Sequence, residues 1–444
     1  MAKSYPGDHA RFKNIERVRY SFGSRRNGLP TRGADMTDRR DAAVREPMAH
    51  GAAQDLTRRL FHGLPRADQR RWAGAYLTGL LTTPGKKSVR NMGWAVCASY
   101  TASQSLHQAV NESTWSWTDV RAELTAWCRE RTETRGWALG RVTLPKRGRY
   151  SAGVHRRFDT AAGRTLNGQL GLGLFLITGH GAAVPVDWRL YLPDEWLDDA
   201  SLRRRARIPE AVRAGSPGRL MADLAVSAGG SGVPVLADAE TVAEAAELIQ
   251  GLSALGSPGA SGASGVDWAV SVPAATPVSA GLTAAVHRPG HPGGTAPTAG
   301  ALARQLRASA RAFGTGEPDA PRVLPARVHT PGATRPLRLV AAWAPGARAP
   351  ERIWLTTLHG ERLTEAADLF RHRFADPGAD ADTGMGGLDD CGLRDFEGRS
   401  YPGWNRHMTL VSAAYAHRVL SSAGPGTLGR AGALAGARAG ARAA

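Results

Sequence analysis

The hydrophobic pattern of this chain changes from a helical to an extended period near Gly136. Before that point, apolar side chains recur at three- and four-residue steps, which predicts helices over residues 51–135. After it, short apolar runs such as GQLGLGLFLIT and AAVPVDWRLYLP follow one another, which is typical of successive antiparallel strands. The run VPVLAD predicts a buried parallel strand that ends at Asp238, and a helical pattern follows directly. We therefore expect a mixed α+β protein with a helical N-terminal domain.

Composition divides the rest of the chain into core and surrounding segments. Residues 1–50 are polar and basic, which predicts a flexible arm, and the low-complexity basic tail at 424–444 is predicted to be disordered. The core is expected in two parts, 136–252 and 335–423. Between them, residues 253–334 are rich in Gly, Pro, Ala and Ser and contain short strand-like runs. This stretch predicts a β-containing insertion.

The charge balance favours a polyanionic partner. The formal net charge is +18, from 57 Lys and Arg against 39 Asp and Glu. Such an excess favours nucleic acid through counterion release, whereas the alternative is a GC-rich genome that prefers arginine. The three cysteines lack the spacing of a zinc site, and the sequence has neither a leader nor an apolar run long enough for a membrane. We therefore expect a cytoplasmic protein with reduced thiols and no membrane partner.

Basic residues are concentrated between Trp137 and Arg157. This segment contains six Lys or Arg, and no acid lies between Arg141 and Arg157. The pattern favours a track for DNA phosphates, and the alternative is a solvated strand edge and turn. The predicted phosphate contacts in this segment are Lys146, Arg147, Arg149, Arg156 and Arg157.

Several segments together resemble, in this order, bacterial insertion-sequence transposases of the DDE superfamily, most nearly the insertion-sequence 701 branch. They include RADQRRWAGAYLTGLL, SLHQAVNESTWSWTDVR, PKRGRYSAGVHRRF, VDWRLYLPDEWLDD, VPVLADAE and GLRDFEGRSYPGWNRHMTL. The resemblance implies a ribonuclease-H-like α/β core, interrupted by the insertion and preceded by a helical DNA-binding domain. It also implies double-stranded DNA as the partner, with a homodimer on DNA as one option, in the nucleoid. The implied chemistry is phosphoryl transfer with two Mg²⁺ ions held by three carboxylates.

The resemblance assigns the three carboxylates to particular positions, and only one acid is kept. The family's first aspartate falls on Gly140, counted back from the Pro-Lys-x-Gly turn. The second falls on Asp238, which is the predicted catalytic residue and metal ligand, although the same residue could merely cap the next helix. The glutamate falls on Pro377, which leaves Asp376 and Glu397 as candidate substitutes.

The loss of two carboxylates predicts a transposase-like DNA-binding protein impaired in strand cleavage and transfer. One alternative is an active, Mg²⁺-dependent transposase that uses displaced carboxylates from the set Asp159, Asp376, Asp395 and Glu397. Another alternative is a domesticated DNA-binding regulator. Outside the basic segment, the residues expected to contact DNA are Lys86, Lys87, Arg90, Arg399 and Arg406. Trp404 is expected to anchor the core.

Overall fold

The protein is represented by a computed structural model. The residues it describes are 53–97, 102–159, 162–228, 232–255, 266–280, 297–312, 322–371 and 385–422. The predicted basic arm (1–50), the predicted tail (424–444) and the candidate Asp376 lie outside these ranges. Within them, no helix is long and apolar enough to cross a membrane.

Five helices make up the N-terminal part, as the periodicity predicted. They are α1 (53–61), α2 (Ala67–Thr82), α3 (Val89–Cys97), α4 (Ala102–Asn111) and α5 (Trp117–Arg131). Helices α2, α4 and α5 pack against the last helix of the chain, so the N-terminal helices share a core with the C-terminal segment. Ser116 caps α5, because its hydroxyl accepts a hydrogen bond from the N–H of Asp119 at 3.3 Å.

The described strands form one mixed sheet. They are β1 (Thr134–Pro145), β2 (His155–Asp159), β3 (Arg164–Thr178), β4 (Ala183–Leu190), β5 (Val235–Asp238), β6 (Trp268–Ser271), β7 (Ser279–Ala280), β8 (Arg311–Ala312), β9 (Arg322–His329), β10 (Leu337–Ala342) and β11 (Arg352–Thr356). Their order is β2-β3-β1-β5-β6-β11-β10-β9-β7, with β4 paired to β3 and β8 paired to β9.

The remaining helices connect or cover these strands. They are α6 (Asp194–Asp198), α7 (Ala200–Ala206), α8 (Pro217–Ala225), α9 (Val242–Leu255), α10 (Ala299–Gln305), α11 (Gly360–Glu365), α12 (Met385–Asp390) and α13 (Tyr401–Ser422). Trp404 on α13 is fully buried, which confirms it as a core anchor. α11 ends at Glu365, and a 3₁₀ turn follows it over Ala367–Arg371.

The strand directions fit a ribonuclease-H-like core. β1, β3 and β4 pair antiparallel in sequence, whereas β5 and β6 run parallel to β1 and are joined through α9. The strands of the predicted insertion do not form a separate layer. They continue the sheet through β9 and β10 to β11, which pairs antiparallel with β6. This pairing covers the edge of β6 and brings β11 to within one strand of β5.

Candidate active site and nucleic-acid surface

The parallel pairing of β1 with β5 brings position 140 next to Asp238. Leu139 lies opposite Ala237 in this register, and the next residues along the two strands are Gly140 and Asp238. Residues that lie side by side on neighbouring strands present their side chains on the same face of the sheet. An acid at position 140 would therefore stand beside Asp238. Because Gly140 has no side chain, Asp238 lacks that neighbour.

The carboxylate of Asp238 is paired with an arginine. Its Oδ1 atom lies 2.7 Å from Nη2 of Arg352, and each of the two side chains is 15% exposed. Arg352 is the first residue of β11, and its guanidinium lies 4.7 Å from the ring centre of Trp354. Since β6 separates β5 from β11, the pair spans the end of β6. The cation facing Asp238 is thus supplied by the protein.

A second arginine fills the space on the other side of the β5 end. Arg141 is buried, and its Nη2 atom lies 2.7 Å from Glu244 Oε1 and donates to the Asp238 carbonyl at 2.7 Å. Its Nη1 atom lies 2.9 Å from Glu240 Oε2. Glu244 also accepts the N–H of Glu240 at 2.8 Å, which fixes the turn between β5 and α9. Thr241 caps α9, since its hydroxyl accepts the Glu244 N–H at 3.1 Å.

The Arg352–Asp238 pair and the ion pairs of Arg141 belong to a larger network that we call the arginine–carboxylate network. Arg157 on β2 extends it, with Nη2 lying 3.4 Å from Glu240 Oε2. Among the described residues, the network contains three arginines and three carboxylates, whose formal charges balance. Its members are Arg141, Arg157, Arg352, Asp238, Glu240 and Glu244.

These residues do not fit a two-metal site. Magnesium binds through carboxylate oxygens and retained waters, and it needs uncompensated negative charge. At Asp238 one carboxylate oxygen is engaged by Arg352, and a buried guanidinium bonds to the same residue's carbonyl. A divalent ion would have to displace one arginine and tolerate another close by. Among the described residues, there is no group of three or more His, Cys, Asp or Glu that could hold a metal ion.

The other candidate carboxylates lie elsewhere. Glu397 pairs with Lys86 at 2.8 Å, and Asp395 accepts the backbone N–H of Lys87 at 2.7 Å. The carbonyl of Phe396, between them, accepts from Lys146, which follows the end of β1. Lys146 is six residues beyond Gly140, or roughly 20 Å along an extended strand. This position corrects the expectation that Glu397 or Asp395 supplies a metal ligand beside Asp238.

The third alternative, Asp159, is engaged in a local turn. It is the last residue of β2, and its Oδ1 atom accepts the N–H of Ala162 at 2.8 Å. It therefore stabilises the turn after β2.

Two residues expected to contact DNA are buried. Arg406 is 4% exposed, donates to the carbonyls of Trp115 at 3.1 Å and Val110 at 3.0 Å, and burial lowers its pKa to about 10. Lys87 is 7% exposed, and its ammonium donates to the carbonyl of Thr83. Both side chains bond to backbone inside the protein, which corrects their assignment as DNA contacts.

The remaining predicted contacts divide by exposure. Lys146 and Arg157 are half-buried and donate to Phe396 and Glu240 respectively. The exposed members of the predicted set are Lys86, Arg90, Arg147, Arg149, Arg156 and Arg399. The basic segment is thus split, because Arg141 and Arg157 neutralise internal acids whereas Arg147, Arg149 and Arg156 face solvent.

Exposed cations gather around the turn that follows β1. The N–H of Ala152 donates to the carbonyl of Arg399 at 2.9 Å, which joins this turn to the segment before α13. Tyr150 is 42% exposed, and the guanidinium carbons of Arg149 and Arg205 lie 5.5 Å and 5.3 Å from its ring centre. We call this the basic turn surface, formed by Arg147, Arg149, Tyr150, Arg205 and Arg399. Sequence reasoning missed Tyr150 and Arg205, because the two residues are 55 positions apart in sequence and no local pattern joins them.

Comparison with known proteins identifies the family. The family model for the DDE superfamily endonuclease matches residues 59–311, which is more than half of the chain. The chain belongs to the DDE superfamily of endonucleases. The match to the DDE model includes Gly140 and Asp238 and ends before Arg352.

One solved structure of a transposase gives a distant comparison. The piggyBac transposase synaptic complex with hairpin DNA is similar over 80% of this chain, with 11% sequence identity and a TM-score of 0.38. This chain spans 66% of the length of that transposase chain, just under two thirds. A search of curated proteins gave no match.

Proposed function

We propose that this DDE-superfamily protein binds double-stranded DNA and is impaired in the strand cleavage and transfer of its family. In this proposal the chain derives from an insertion-sequence transposase of the 701 branch and acts on DNA in the nucleoid. The observation that carries the proposal is the 2.7 Å ion pair between Arg352 and Asp238. It places a fixed positive charge on the one carboxylate that is kept.

Energetics favour loss of cutting over slow cutting. A divalent ion at this edge would lack the acid at Gly140 and would have to compete with Arg352 for Asp238. Removing a single metal ligand costs several kcal/mol of transition-state stabilisation, or roughly a thousandfold or more in rate. Here a ligand is missing and a cation has been added. Both changes weaken the binding of a divalent ion, and both therefore reduce the stabilisation that the ion would give to the developing negative charge of a phosphoryl transfer.

Retained DNA binding rests on the basic turn surface and the charge of the chain. Arg147, Arg149 and Arg399 are exposed and lie on connected segments, so they can neutralise neighbouring phosphates. Tyr150 adds an aromatic face that a base or sugar can pack against. A net charge of +18 favours association with a polyanion at low salt.

The test compares the parent with Asp238→Asn, a variant of the same size without the charge. Both are incubated with labelled duplexes from the two flanks of the gene, in millimolar Mg²⁺ or Mn²⁺. We expect equal DNA binding and no cleavage product that depends on Asp238. Metal-dependent nicks made by the parent and lost in Asp238→Asn would overturn the proposal. A parent that fails to bind any duplex at low salt would overturn its DNA-binding half.

A further inference from the structure

β2 and the first residues of β3 form a two-stranded ribbon at the end of the sheet. β2 pairs with β3 from Arg164 to Gly168, whereas β1 pairs with β3 from Gly168 onward and β4 from Gly171 onward. Residues 164–167 of β3 therefore have β2 as their only strand partner among the described strands. We call residues 155–159 and 164–167 the β2–β3 ribbon.

One face of the ribbon packs against the protein. The ring of His155 lies 5.4 Å from that of Tyr191, and Arg157 reaches Glu240 in the arginine–carboxylate network. These contacts hold β2 at the same edge of the sheet as the end of β5. The ribbon is thus fixed in orientation relative to Asp238.

The opposite face is exposed, basic and aromatic. Arg156 lies opposite Asn167, and Phe158 lies opposite Thr165, so these four side chains share one face. Phe158 is 59% exposed, which makes it an unusually solvent-exposed aromatic for a strand. Arg156 is exposed beside it.

The exposed face continues into the basic turn surface. The amide of Asn167 donates to the carbonyls of Lys146 at 2.8 Å and Gly148 at 3.2 Å, which ties the turn carrying Arg147 and Arg149 to the ribbon. Arg156, opposite Asn167, is therefore the ribbon residue nearest the turn on this face, and Phe158 lies two residues farther along β2.

We propose that the β2–β3 ribbon enters the major groove of DNA and reads its sequence, with Phe158 packing on thymine methyl groups and Arg156 bonding to guanine. The major groove, about 12 Å wide, admits a two-stranded ribbon. Arginine pairs with the O6 and N7 atoms of guanine, and apolar side chains contact the thymine methyl group. The cations of the basic turn surface then bind the phosphates flanking the groove. This inference rests on the proposed DNA binding and adds the element that gives it sequence preference.

The test begins with selection of preferred sequences from a library of random duplexes by the parent protein. The selected duplex and a scrambled duplex are then titrated with the parent, Phe158→Ala, Arg156→Ala and the control Arg147→Ala. We expect Phe158→Ala and Arg156→Ala to reduce the preference for the selected duplex roughly tenfold, with little change on the scrambled one. The control should weaken binding to both duplexes equally.

Base analogues test the contacts directly. Replacing thymidine by deoxyuridine removes the methyl group, and 7-deazaguanine removes the N7 acceptor. The first should weaken binding by the parent but not by Phe158→Ala, and the second should weaken binding by the parent but not by Arg156→Ala.

Three outcomes would overturn the inference. One is an unchanged preference in both ribbon variants, and another is a parent that enriches no sequence while still binding duplex. The third is a change of oligomeric state in Phe158→Ala without a change in preference, which would assign the ribbon to contacts between copies of the chain. In all three the parent still binds DNA, so the proposed function stands. A parent that binds no duplex would overturn both.

Discussion

Arg352 Nη2 and Asp238 Oδ1 are 2.7 Å apart although the residues are 114 positions apart in sequence. The pair exists because β11 packs beside β6, which in turn pairs with β5. In a DDE endonuclease this end of the sheet is where negative charge must be available for metal. Here the negative charge is already balanced by side chains.

The Arg352–Asp238 pair should contribute measurably to stability. Both side chains are largely buried, so we expect Arg352→Ala to lower the free energy of unfolding by about 1–3 kcal/mol. The double variant Arg352→Ala/Asp238→Asn should be less destabilised than the sum of the two single changes. Denaturant unfolding of the four proteins measures the coupling. Strict additivity would show that the pair is not formed in solution.

Arg141 should be more costly to remove than Arg352. Arg141→Met removes the guanidinium from the buried Glu244 and leaves Glu240 with the longer contact to Arg157, and we expect a loss of about 3–5 kcal/mol. Adding Glu244→Gln should restore part of this stability, because it removes one uncompensated charge. Thermal and denaturant melts measure both variants. An Arg141→Met protein as stable as the parent would show that the arginine–carboxylate network does not stabilise the fold.

The basic turn surface predicts a specific change in salt dependence. Arg147→Ala/Arg149→Ala should lower the slope of log binding constant against log salt by up to about two. The matched control is Arg304→Ala/Arg311→Ala, which removes two exposed arginines from α10 and β8, in the predicted insertion. Its slope should equal that of the parent. An unchanged slope in the first variant would remove these arginines from the DNA contact.

Arg406 and Arg399 are close in sequence but should behave in opposite ways. Arg406→Ala leaves the carbonyls of Trp115 and Val110 without their donor, so we expect lower stability by about 2–4 kcal/mol. Arg399→Ala removes an exposed cation and should leave the melting temperature unchanged while weakening DNA binding. Melting curves and salt titrations of the two variants separate the roles. A stable Arg406→Ala with reduced DNA affinity would reverse our correction.

His407 should make the protein sensitive to acid. It is fully buried between Tyr76 and the Gly392 carbonyl, each 3.0 Å from a ring nitrogen, and burial lowers its pKa from 6.5 to about 3. Below pH 6.5 the unfolded chain binds a proton that the folded protein does not. The contribution of His407 to the free energy of unfolding is therefore fully present above pH 6.5. It falls by up to about 1.4 kcal/mol per pH unit toward pH 3.

The control for this prediction is His407→Gln, which keeps polar atoms but does not titrate. Unfolding free energies of both proteins are measured from pH 7.5 to pH 4.5, a range chosen to span the unfolded pKa of about 6.5. The difference between the two curves should be flat above pH 6.5 and steep below it. Parallel curves throughout would mean that His407 is not buried as a neutral ring.

Local patterns predicted the N-terminal helices and the strand ending at Asp238, because each depends on residues close in sequence. The partners of these residues could not be predicted in the same way. Arg352 meets Asp238 only through the order of strands in the sheet, which no local period encodes. Arg141 appeared to belong to a phosphate track. Its partners are instead Glu240, in the turn after β5, and Glu244 on α9.

A short strand at the edge of the sheet, β2, was also hard to predict from the sequence. The β2 segment HRRFD has no apolar alternation, so the sequence did not predict it as a separate strand. It is a strand because β3 extends beyond β1 and offers it backbone partners. The burial of Arg406 was also unpredictable, since a cation in the second turn of a helix resembles a DNA contact until the carbonyls it satisfies are located.

The arginine–carboxylate network at the end of β5 also affects what a mutation at this site can do. Restoring an aspartate at position 140 would place another acid next to Asp238, within reach of guanidinium groups already engaged by their own partners. That acid would be recruited into the existing pairs before it could attract a cation from solution. In the function that we propose, an aspartate on β1 would therefore restore metal binding only together with a change at Arg352 on β11.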